Sequence, residues 1–498
     1  MFYTSTRDNN VKVTASKAIT DGISPDGGLY IPESIPQLSA DEIKALCGVD
    51  YKERAKKVLG LYLTDFSKDE LDYCVEGAYK DGKFASEFVA PVVKLHDNVS
   101  ILELFKGPTC AFKDMALQIL PYLLTVSAKK NLENKEIVIL VATSGDTGKA
   151  ALEGFKDVEG TKILVFYPND GVSPMQKLQM TTQEGENVGV CAVYGNFDDC
   201  QTGVKNIFTN AEILDRFNKN NLVFSSANSI NWGRLAPQIV YYVSAYCDMV
   251  NNGSVKFGDK INVVVPTGNF GNILAAYFAK EMGLPINKLI CASNANNVLT
   301  DFIRTGVYDR NRSFFTTDSP SMDILISSNL ERLLYILCGR NSDTINDWFG
   351  KLKEEGKYTV SDDVKAQVKD LFFADCCDDT KTKETISATY KNYGYLADTH
   401  TSVAINVCDA YIEKTGDMTP VIVASTASPF KFSKAVLDAV EENAKEYDDE
   451  FSTVDALEKI ASLKAPEQLS ALKGKEVRFT EVTSKENMAD VVFKMLGI

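Results

Sequence analysis

Hydrophobic and polar positions follow two different patterns along the chain, and the change comes near residue 90. Before it, segments such as SADEIKAL and ERAKKVLGLYL place apolar residues at helical spacing after a Ser or a charged residue. This spacing predicts a mostly helical N-terminal portion over residues 1–90. From about residue 91, short runs of β-branched residues are each followed by a cluster of Gly, Ser, Thr or Asn and then by helical spacing.

Four of these strand-and-helix units are the clearest, and their apolar runs are continuous. The runs lie at residues 136–142, 161–168, 260–266 and 419–424. A continuous run of Val and Ile indicates a strand buried on both faces, and a helix between two strands indicates a crossover connection. The sequence therefore predicts an α/β fold with doubly wound parallel sheets. The less regular tract at residues 313–379 carries acidic runs such as ADCCDD and predicts a solvated helical insertion.

The composition adds to this picture by excluding classes of partner. Apolar residues make up 45% of the 498 residues and charged residues 24%, as in ordinary globular proteins. Asp and Glu outnumber Lys and Arg by 68 to 53, which gives a net charge of -15. Such a field repels the phosphate backbone of nucleic acids, so no nucleic-acid partner is expected. A small anion would need a local pocket of backbone N–H groups and helix N-termini.

Targeting and redox patterns favour a cytoplasmic protein without membrane partners. The first residues, MFYTSTRDNNVKVT, lack the basic and apolar segments of a secretion signal, and no apolar run reaches the length of about 18 residues that a membrane span needs. The eleven Cys are an odd number and form no C-x-x-C pair, which favours reduced, packed thiols.

Histidine is scarce, and this narrows the chemistry. Only His96 and His400 are present, and neither stands in a hydrolase or zinc-binding motif. No metal site is therefore expected. In an enzyme of this sequence, proton transfer would fall to Lys, to carboxylates or to a cofactor.

Two polar loops follow predicted strands, where ligands of α/β sheets bind. In PTGNFGN, Gly268 and Gly271 let the backbone approach an anion at a helix start, although an ordinary Gly-rich turn fits the segment equally well. Nucleotide motifs fail here, because Pro266 stands where a dinucleotide motif needs its first Gly. In TSGDTG, Ser144 and Thr147 suit a carboxylate, and helix N-capping is the alternative.

One lysine lies in an unusual setting. Lys113 is flanked by Phe112 and Asp114 within LFKGPTCAFKDMALQ, a segment otherwise rich in apolar residues. Burial can lower the pKa of a lysine from about 10.4 to roughly 7 or 8, and an uncharged amine can form an imine. The alternative is an ordinary surface lysine.

Taken together in chain order, the motifs resemble the threonine synthase family, in the longer, N-terminally extended form of bacteria and fungi. The resemblance covers nearly the whole chain and rests on TDGISPDGGLYIP near the start, FKGPTxAFKD at residues 105–114, TSGDTG at 143–148, NSINWGR at 228–234, PTGNFGN at 266–272, PSMDI around Met322 and STASPFKF at 425–432.

This resemblance implies a pyridoxal-phosphate enzyme of the tryptophan-synthase-β fold type (fold type II). It implies a Schiff-base lysine at Lys113, a cradle for the cofactor phosphate at Gly268, Asn269, Phe270, Gly271 and Asn272, a hydrogen bond from Thr426 to the pyridine nitrogen, a site for the substrate carboxylate at Thr143, Ser144, Asp146 and Thr147, and a site for the substrate phosphate at Asn228, Ser229 and Arg234.

The implied reaction converts O-phospho-L-homoserine and water to L-threonine and phosphate by elimination and replacement. The alternatives are another enzyme of this fold type, such as a threonine dehydratase or a cysteine synthase-like enzyme, and a non-catalytic binding protein of the same fold. The expected domains are a helical part at 1–90, a large cofactor-binding domain at 91–114 and 216–498, and a small domain at 115–215, in a monomer or homodimer.

Overall fold

A computed structural model of the chain describes residues 1–133, 135–170, 172–441 and 446–498. The strands are β1 Tyr3–Ser5, β2 Tyr30–Pro32, β3 Val92–His96, β4 Val99–Glu103, β5 Glu136–Ala142, β6 Thr161–Pro168, β7 Val188–Val193, β8 Leu222–Ser225, β9 Ile261–Pro266, β10 Ile286–Ser293, β11 Val307–Asp309, β12 Lys357–Thr359, β13 Phe372–Cys376, β14 Val421–Ser425 and β15 Val482–Thr483.

The helices lie between and around these strands. They are α1 Ala15–Asp21, α2 Ala40–Cys47, α3 Tyr51–Tyr62, α4 Lys68–Ala78, α5 Asp114–Leu117, α6 Leu120–Asn131, α7 Asp146–Phe155, α8 Pro174–Thr181, α9 Phe197–Thr209, α10 Ala211–Lys219, α11 Trp232–Asn251, α12 Gly271–Glu281, α13 Val298–Thr305, α14 Leu330–Leu337, α15 Ser342–Glu354, α16 Asp362–Leu371, α17 Asp379–Tyr393, α18 Thr399–Thr415, α19 Ser433–Val440, α20 Glu450–Ala461, α21 Glu467–Ser470 and α22 Met488–Leu496, with short 3-10 turns at Pro320–Met322, Pro429–Lys431 and Lys485–Asn487.

A six-stranded sheet carries most of the predicted binding loops. Its strand order is β13-β10-β9-β14-β4-β3, and all neighbours are parallel except the β3–β4 hairpin. Strands β4, β9 and β14 are buried along their whole length, which explains their continuous apolar runs. Because these central strands are parallel neighbours, the loops that follow them lie at one edge of the sheet.

A second, five-stranded sheet is parallel throughout, in the order β15-β7-β6-β5-β8. Strands β5 and β6 have the predicted bounds, 136–142 and 161–168. Two largely parallel sheets with helices packed on them confirm the predicted α/β fold.

The N-terminal portion is mostly helical, as expected, and packs on the large sheet's helices. The ring of Tyr3 lies edge-on to that of Trp232 of α11, with centroids 5.4 Å apart, and the ring of Tyr62 is tilted against it at 5.5 Å. Arg54 of α3 pairs with Asp248 of α11 at 2.7 Å in a largely buried contact. The helical portion therefore supports α11, one of the helices that carry the predicted site.

The tract at residues 313–379 differs from the prediction of a solvated insertion. Residues Phe372–Cys376 form β13 and pair in parallel with β10 at the edge of the large sheet, and α14 is almost wholly buried. The acidic ADCCDD segment was misleading because it lies at an edge strand and its end, where one side meets solvent.

The strands also bear on the expected domain limits. Strand β8, at 222–225, and strand β15, at 482–483, pair within the second sheet, although both lie in the range expected for the large domain. Among the described residues, no helix combines the length and apolar character that crossing a bilayer requires.

Candidate active site

The segment that carries Lys113 returns to the carboxyl edge of the large sheet after β4. The Phe112 N–H donates to the Thr426 carbonyl at 2.8 Å, and Ala111 pairs with Ala427 in an antiparallel bridge. These bonds place Lys113 beside Thr426, which follows the end of β14 and is 5% exposed. Two positions assigned to one cofactor are thus adjacent although they are more than 300 residues apart in sequence.

The Lys113 amine lies in a mostly buried pocket. Its side chain is 11% exposed, and Nζ lies 3.3 Å from the Ser321 hydroxyl and 3.8 Å from Oδ2 of Asp146. Burial lowers the pKa of Lys113 to about 8; Asp146 opposes this change, whereas the positive charges of Lys431 and Arg234 add to it. The amine is therefore uncharged in a substantial fraction of molecules near neutral pH, unlike that of a surface lysine.

The glycine turn at 268–272 follows β9 and leads into α12. Phe270 adopts the left-handed region at a φ of 62°, so the chain reverses and α12 begins at Gly271. A Cβ at Gly268 would lie 2.6 Å from the carbonyl oxygen of Ser321, the residue whose hydroxyl contacts Lys113. Ser321 therefore lies between the glycine turn, which is next to its carbonyl, and Lys113, which contacts its hydroxyl.

Side chains from a later loop fix this turn from behind. The Ser327 hydroxyl donates to the Gly268 carbonyl at 2.8 Å, and the Asn329 amide donates to the Asn269 carbonyl at 3.0 Å. With these carbonyls bonded, the N–H groups at the start of α12 remain for an anion.

A pyridoxal phosphate group fits this cradle, because Asn272 supplies a donor that the protein leaves unused. Its Oδ1 accepts bonds from the hydroxyls of Tyr241 and Tyr242 at 2.6 and 2.5 Å, whereas its buried Nδ2 has no hydrogen-bond partner in the described parts of the chain. A buried amide donor without a partner is costly, and a phosphate oxygen would satisfy it.

The TSGDTG loop connects β5 to α7 at the edge of the second sheet. The Thr143 hydroxyl accepts bonds from the N–H groups of Gly145 and Gly148 at 3.0 and 2.8 Å, which fixes the loop. Ser144 and Thr147 are partly exposed beside the first turn of α7. The loop presents hydroxyls and a helix N-terminus together, the arrangement that a carboxylate requires.

Asp146 is the charged centre of this loop. Its Oδ1 lies 2.7 Å from Nζ of Lys431 and accepts a bond from the Gln176 amide at 2.9 Å. Burial alone would raise the pKa of Asp146, but Lys431, then Lys113 and the hydrogen bonds, hold that pKa well below its usual range. Asp146 is therefore an ion-paired carboxylate rather than a proton donor.

The NSINWGR segment leads into α11 and buries an arginine. The Asn231 side chain caps the helix by accepting from the Gly233 N–H at 2.8 Å. Arg234 is 3% exposed, its Nη1 donates to the Ala227 carbonyl, and its Nε has no partner. Burial lowers the pKa of Arg234 to about 10. Within the part of the chain that the structure describes, this arginine forms no ion pair, so the site has a cation available for an anion.

The other two residues of this motif, Asn228 and Ser229, are partly exposed at the turn before α11. A Cβ at Gly271 would lie 3.9 Å from the Cβ of Ser229. The structure therefore brings this turn next to the glycine turn, while the ligand that each side chain holds stays a prediction.

Several side chains at the site were not assigned from the sequence. Ser321 and Lys431 lie in PSMDI and STASPFKF, motifs noted only for the resemblance, and Gln176 had no signal at all. His400 lies behind Ser321: its Nε2 accepts from the Ser321 N–H at 3.1 Å, and its Nδ1 lies 2.9 Å from Asp398. Among the described residues, no group of three or more His, Cys, Asp or Glu could hold a metal ion.

Three family models match the chain in order. The model described as threonine synthase N terminus matches residues 2–79, that of a pyridoxal-phosphate dependent enzyme matches residues 91–347, and that described as threonine synthase, C-terminal matches residues 401–492. The second match spans Lys113 and the glycine turn and confirms the prediction of pyridoxal phosphate as the cofactor.

Known proteins agree with these matches. Human threonine synthase-like 1 is 42% identical over 446 residues, covering 87% of this chain, which spans only 59% of the human protein's length. Threonine synthase of Pseudomonas aeruginosa is 39% identical over 88% of this chain and 90% of its own. The crystal structure of PLP-bound threonine synthase from Brucella melitensis has a TM-score of 0.87 and 35% identity over 100% of this chain and 99% of its own. The chain belongs to the threonine synthase family of pyridoxal-phosphate-dependent enzymes.

Proposed function

We propose that the protein converts O-phospho-L-homoserine and water to L-threonine and phosphate. The observation that carries this proposal is Arg234, a buried arginine in the first turn of α11 that has no ion-pair partner and an unbonded Nε in the described chain. The turn before α11 lies beside the glycine turn. The cofactor cradle uses backbone N–H groups and Asn272 for one phosphate. A second anion site built on an arginine fits a substrate that carries its own phosphate.

Lys113 is the residue we propose to bind the cofactor covalently and to move protons. When bound, pyridoxal phosphate withdraws electrons from the substrate's α-carbon and makes the neighbouring C–H bonds acidic. A Lys113 pKa of about 8 lets one amine both accept and donate a proton near neutral pH. Nζ is aimed into the pocket, since its neighbours are Ser321 and Asp146.

The substrate's carboxylate is proposed to bind at the start of α7. Ser144 and Thr147 offer hydroxyl donors, and the helix N-terminus adds a positive field. Thr143 supports them, because its hydroxyl oxygen already accepts two backbone bonds. The negative charge of Asp146 disfavours a second carboxylate in contact with it. We therefore place the substrate carboxylate on the side of the loop that carries the Ser144 and Thr147 hydroxyls.

The substrate's phosphate is proposed to bind at the turn before α11, to Arg234, Asn228 and Ser229. The Arg234 guanidinium is buried, so its electrostatic attraction is little weakened by solvent. Loss of this phosphate is the step that separates the proposed reaction from those of a dehydratase or a cysteine synthase-like enzyme.

Thr426 is proposed to face the pyridine nitrogen of the cofactor. A hydroxyl, unlike a carboxylate, cannot enforce protonation of that nitrogen. The arrangement favours elimination and replacement over transamination.

The experiment is product analysis with the purified, cofactor-loaded protein. With O-phospho-L-homoserine we expect threonine and phosphate in equal amounts. Ammonia with a keto acid would instead identify a dehydratase, and no turnover with intact cofactor binding would favour a binding protein.

A variant pair sharpens this assay. R234M should raise KM for the phosphorylated substrate by roughly 10- to 150-fold, since a hydrogen bond to a charged group contributes about 1.5–3 kcal/mol. R216M, which removes an arginine exposed on α10, should leave KM unchanged. Equal KM values in both variants would remove Arg234 from the substrate site.

The compartment and the domain arrangement are further parts of the proposal. Eleven free thiols, most of them buried, support a reducing cytoplasmic compartment. We also propose that a small domain at about residues 115–215 closes on a large domain at 91–114 and 216–498 when substrate binds, with sheet pairing extending the small domain to β8 and β15. A monomer or homodimer is expected, which sedimentation would distinguish.

A further inference from the structure

Three charged side chains from separate parts of the chain meet beside the cofactor lysine. Lys113 precedes α5, Asp146 begins α7 and Lys431 ends the turn Pro429–Lys431 after β14. One oxygen of Asp146 lies 2.7 Å from Nζ of Lys431, and the other lies 3.8 Å from Nζ of Lys113. The carboxylate is therefore hydrogen-bonded to Lys431 and only electrostatically close to Lys113.

The carboxylate is held in this orientation by a third side chain. Gln176 donates to Oδ1 of Asp146 at 2.9 Å, and its own oxygen accepts from the Ser173 N–H at the start of α8. Gly145 makes room for this contact, since a Cβ there would lie 2.4 Å from Gln176 and its φ of 130° disfavours any side chain. Asp146 cannot turn freely from Lys431 to Lys113.

Lys431 is costly to bury, and the structure gives it one charged partner among the described residues. It is 0% exposed, and among the described residues its Nζ is bonded to Asp146 and, at 3.0 Å, to the carbonyl of Thr109. Two hydrophobic side chains of similar size would fill this space at least as stably as a buried ion pair. The pair therefore needs a reason other than stability, and one group that it influences is the neighbouring Lys113.

We propose that Lys431 is a positioning residue that occupies Asp146 and thereby keeps the amine of Lys113 uncharged. Without Lys431, Lys113 would be the one cation of the described residues near Asp146, and Asp146 would stabilise the ammonium form of Lys113. The inference deepens the proposed function, because an uncharged Lys113 is what covalent attachment of the cofactor requires, but it does not depend on which substrate is used.

The charged groups that face Lys113 from the surrounding elements determine whether a substitution raises or lowers the pKa of Lys113. Asp146 from α7 and Asp114 from α5 favour its charged form, whereas Lys431 from the turn after β14 and Arg234 from α11 disfavour it. Removing Lys431 deletes one opposing positive charge and releases one carboxylate. Both changes raise the pKa of Lys113.

The test measures the charge of Lys113 directly, without turnover. The full-length protein, freed of cofactor, is labelled with trace acetic anhydride at a series of pH values, and the Lys113 peptide is quantified by mass spectrometry. The pH midpoint of labelling reports the pKa, and normalising to the high-pH plateau removes differences in access. The set comprises wild type, K431M, D146N and the double variant.

The expected midpoints move in opposite directions. K431M should shift the midpoint upward by about one pH unit or more, which lowers labelling at pH 7 about tenfold. D146N should shift it downward, and the double variant should return close to wild type. A labelling midpoint of Lys113 that is unchanged or lowered in K431M overturns the proposal. If K431M does not fold, D146N provides the test, and an unchanged or raised midpoint in D146N then overturns the proposal.

K149M is the matched control. Lys149 is also buried, lies on the same helix as Asp146 and pairs with Glu153 at 3.0 Å, away from Lys113. A merely structural role for buried lysines would lower the thermal midpoint of K149M and K431M alike and leave the labelling midpoint of both unchanged. Product analysis of the wild type is a separate measurement, so failure of the proposed reaction would not be confused with failure of this inference.

Discussion

Gly268 lies where the glycine turn meets the Lys113 pocket. Its missing side chain lets the turn lie against the Ser321 carbonyl, which a Cβ would approach to 2.6 Å. The Ser321 hydroxyl in turn contacts Lys113. The absence of one methyl group therefore lets the glycine turn lie against the residue that contacts Lys113.

Replacing Gly268 by Ala should weaken cofactor binding. Overpacking by one methyl group typically costs about 1–3 kcal/mol, which corresponds to roughly a 5- to 150-fold rise in the dissociation constant. Titration of the cofactor-free protein followed by absorbance measures it. In the control G350A, the added methyl meets no atom within 4 Å in α15, and affinity should not change. Equal affinities in the two variants would contradict the proposed spacing.

For single residues, the sequence predicted those with an unusual chemical type in their local segment. It did not predict residues that act through a contact with a distant part of the chain. Lys113 could be singled out because an amine among apolar neighbours is unusual, and Gly268 and Gly271 because a glycine turn after a strand binds anions. Lys431, Ser321 and Gln176 could not, since each acts through a contact with a residue 30 to more than 280 positions away. Such contacts are fixed by the fold and leave no local pattern.

Helix α18 is the element that supports the pocket from behind. Asp398 caps it by accepting from the His400 N–H at 2.9 Å, and the same carboxylate contacts Nδ1 of His400. Because His400 then accepts from the Ser321 N–H, the helix cap and the pocket share one hydrogen-bond chain. The N-terminus of α18 therefore helps to hold Ser321 in its position beside Lys113.

The substitution D398A should lower both stability and activity. Loss of an N-cap costs about 0.5–2 kcal/mol, and release of His400 misplaces Ser321, which can lower kcat by up to about 100-fold. Thermal unfolding and steady-state kinetics measure the two effects. The control D449A removes an exposed Asp cap from α20 and should lower stability alone. Full activity in D398A would show that the chain of bonds has no catalytic consequence.

Elements with a regular pattern were predictable, and those without one were not. Strands β5 and β6 have the bounds read from their apolar runs, because a strand buried on both faces is apolar along most of its length. Strand β13 was missed, since an edge strand with the sequence FFADC is half exposed and resembles a loop. Because this strand lies at the edge of the sheet, its sequence lacks the apolar pattern of a buried strand.

Buried polar contacts attach the N-terminal portion to the helices that carry the site, and we call this attachment the joint. Arg54 pairs with Asp248 and also donates to the Ser244 hydroxyl at 2.7 Å, all largely buried. Arg332 bonds the carbonyls of Tyr30 and Ile230, linking strand β2 to the turn before α11. The sequence predicted a helical N-terminal portion but not this attachment, which depends on buried polar pairs.

Breaking the joint should destabilise the protein as a whole. R54M leaves Asp248 buried without its partner, and removing one member of a buried pair costs about 3–5 kcal/mol. Urea unfolding followed by the fluorescence of Trp232, which lies at this joint, measures the change. In the control K56M, a lysine on the same helix as Arg54 loses its pairs with half-exposed carboxylates, which should cost about 0–1 kcal/mol. Equal losses would show that the joint is not a buried electrostatic contact.

The central claim is that Lys113 binds the cofactor. The most direct measurement is borohydride reduction of the cofactor-loaded protein, followed by digestion and mass spectrometry of the peptides. The account predicts one pyridoxyl group, on the peptide that contains Lys113, and none in K113A. A pyridoxyl group on Lys431, Lys149 or any other lysine of the wild type, with Lys113 unmodified, would contradict it.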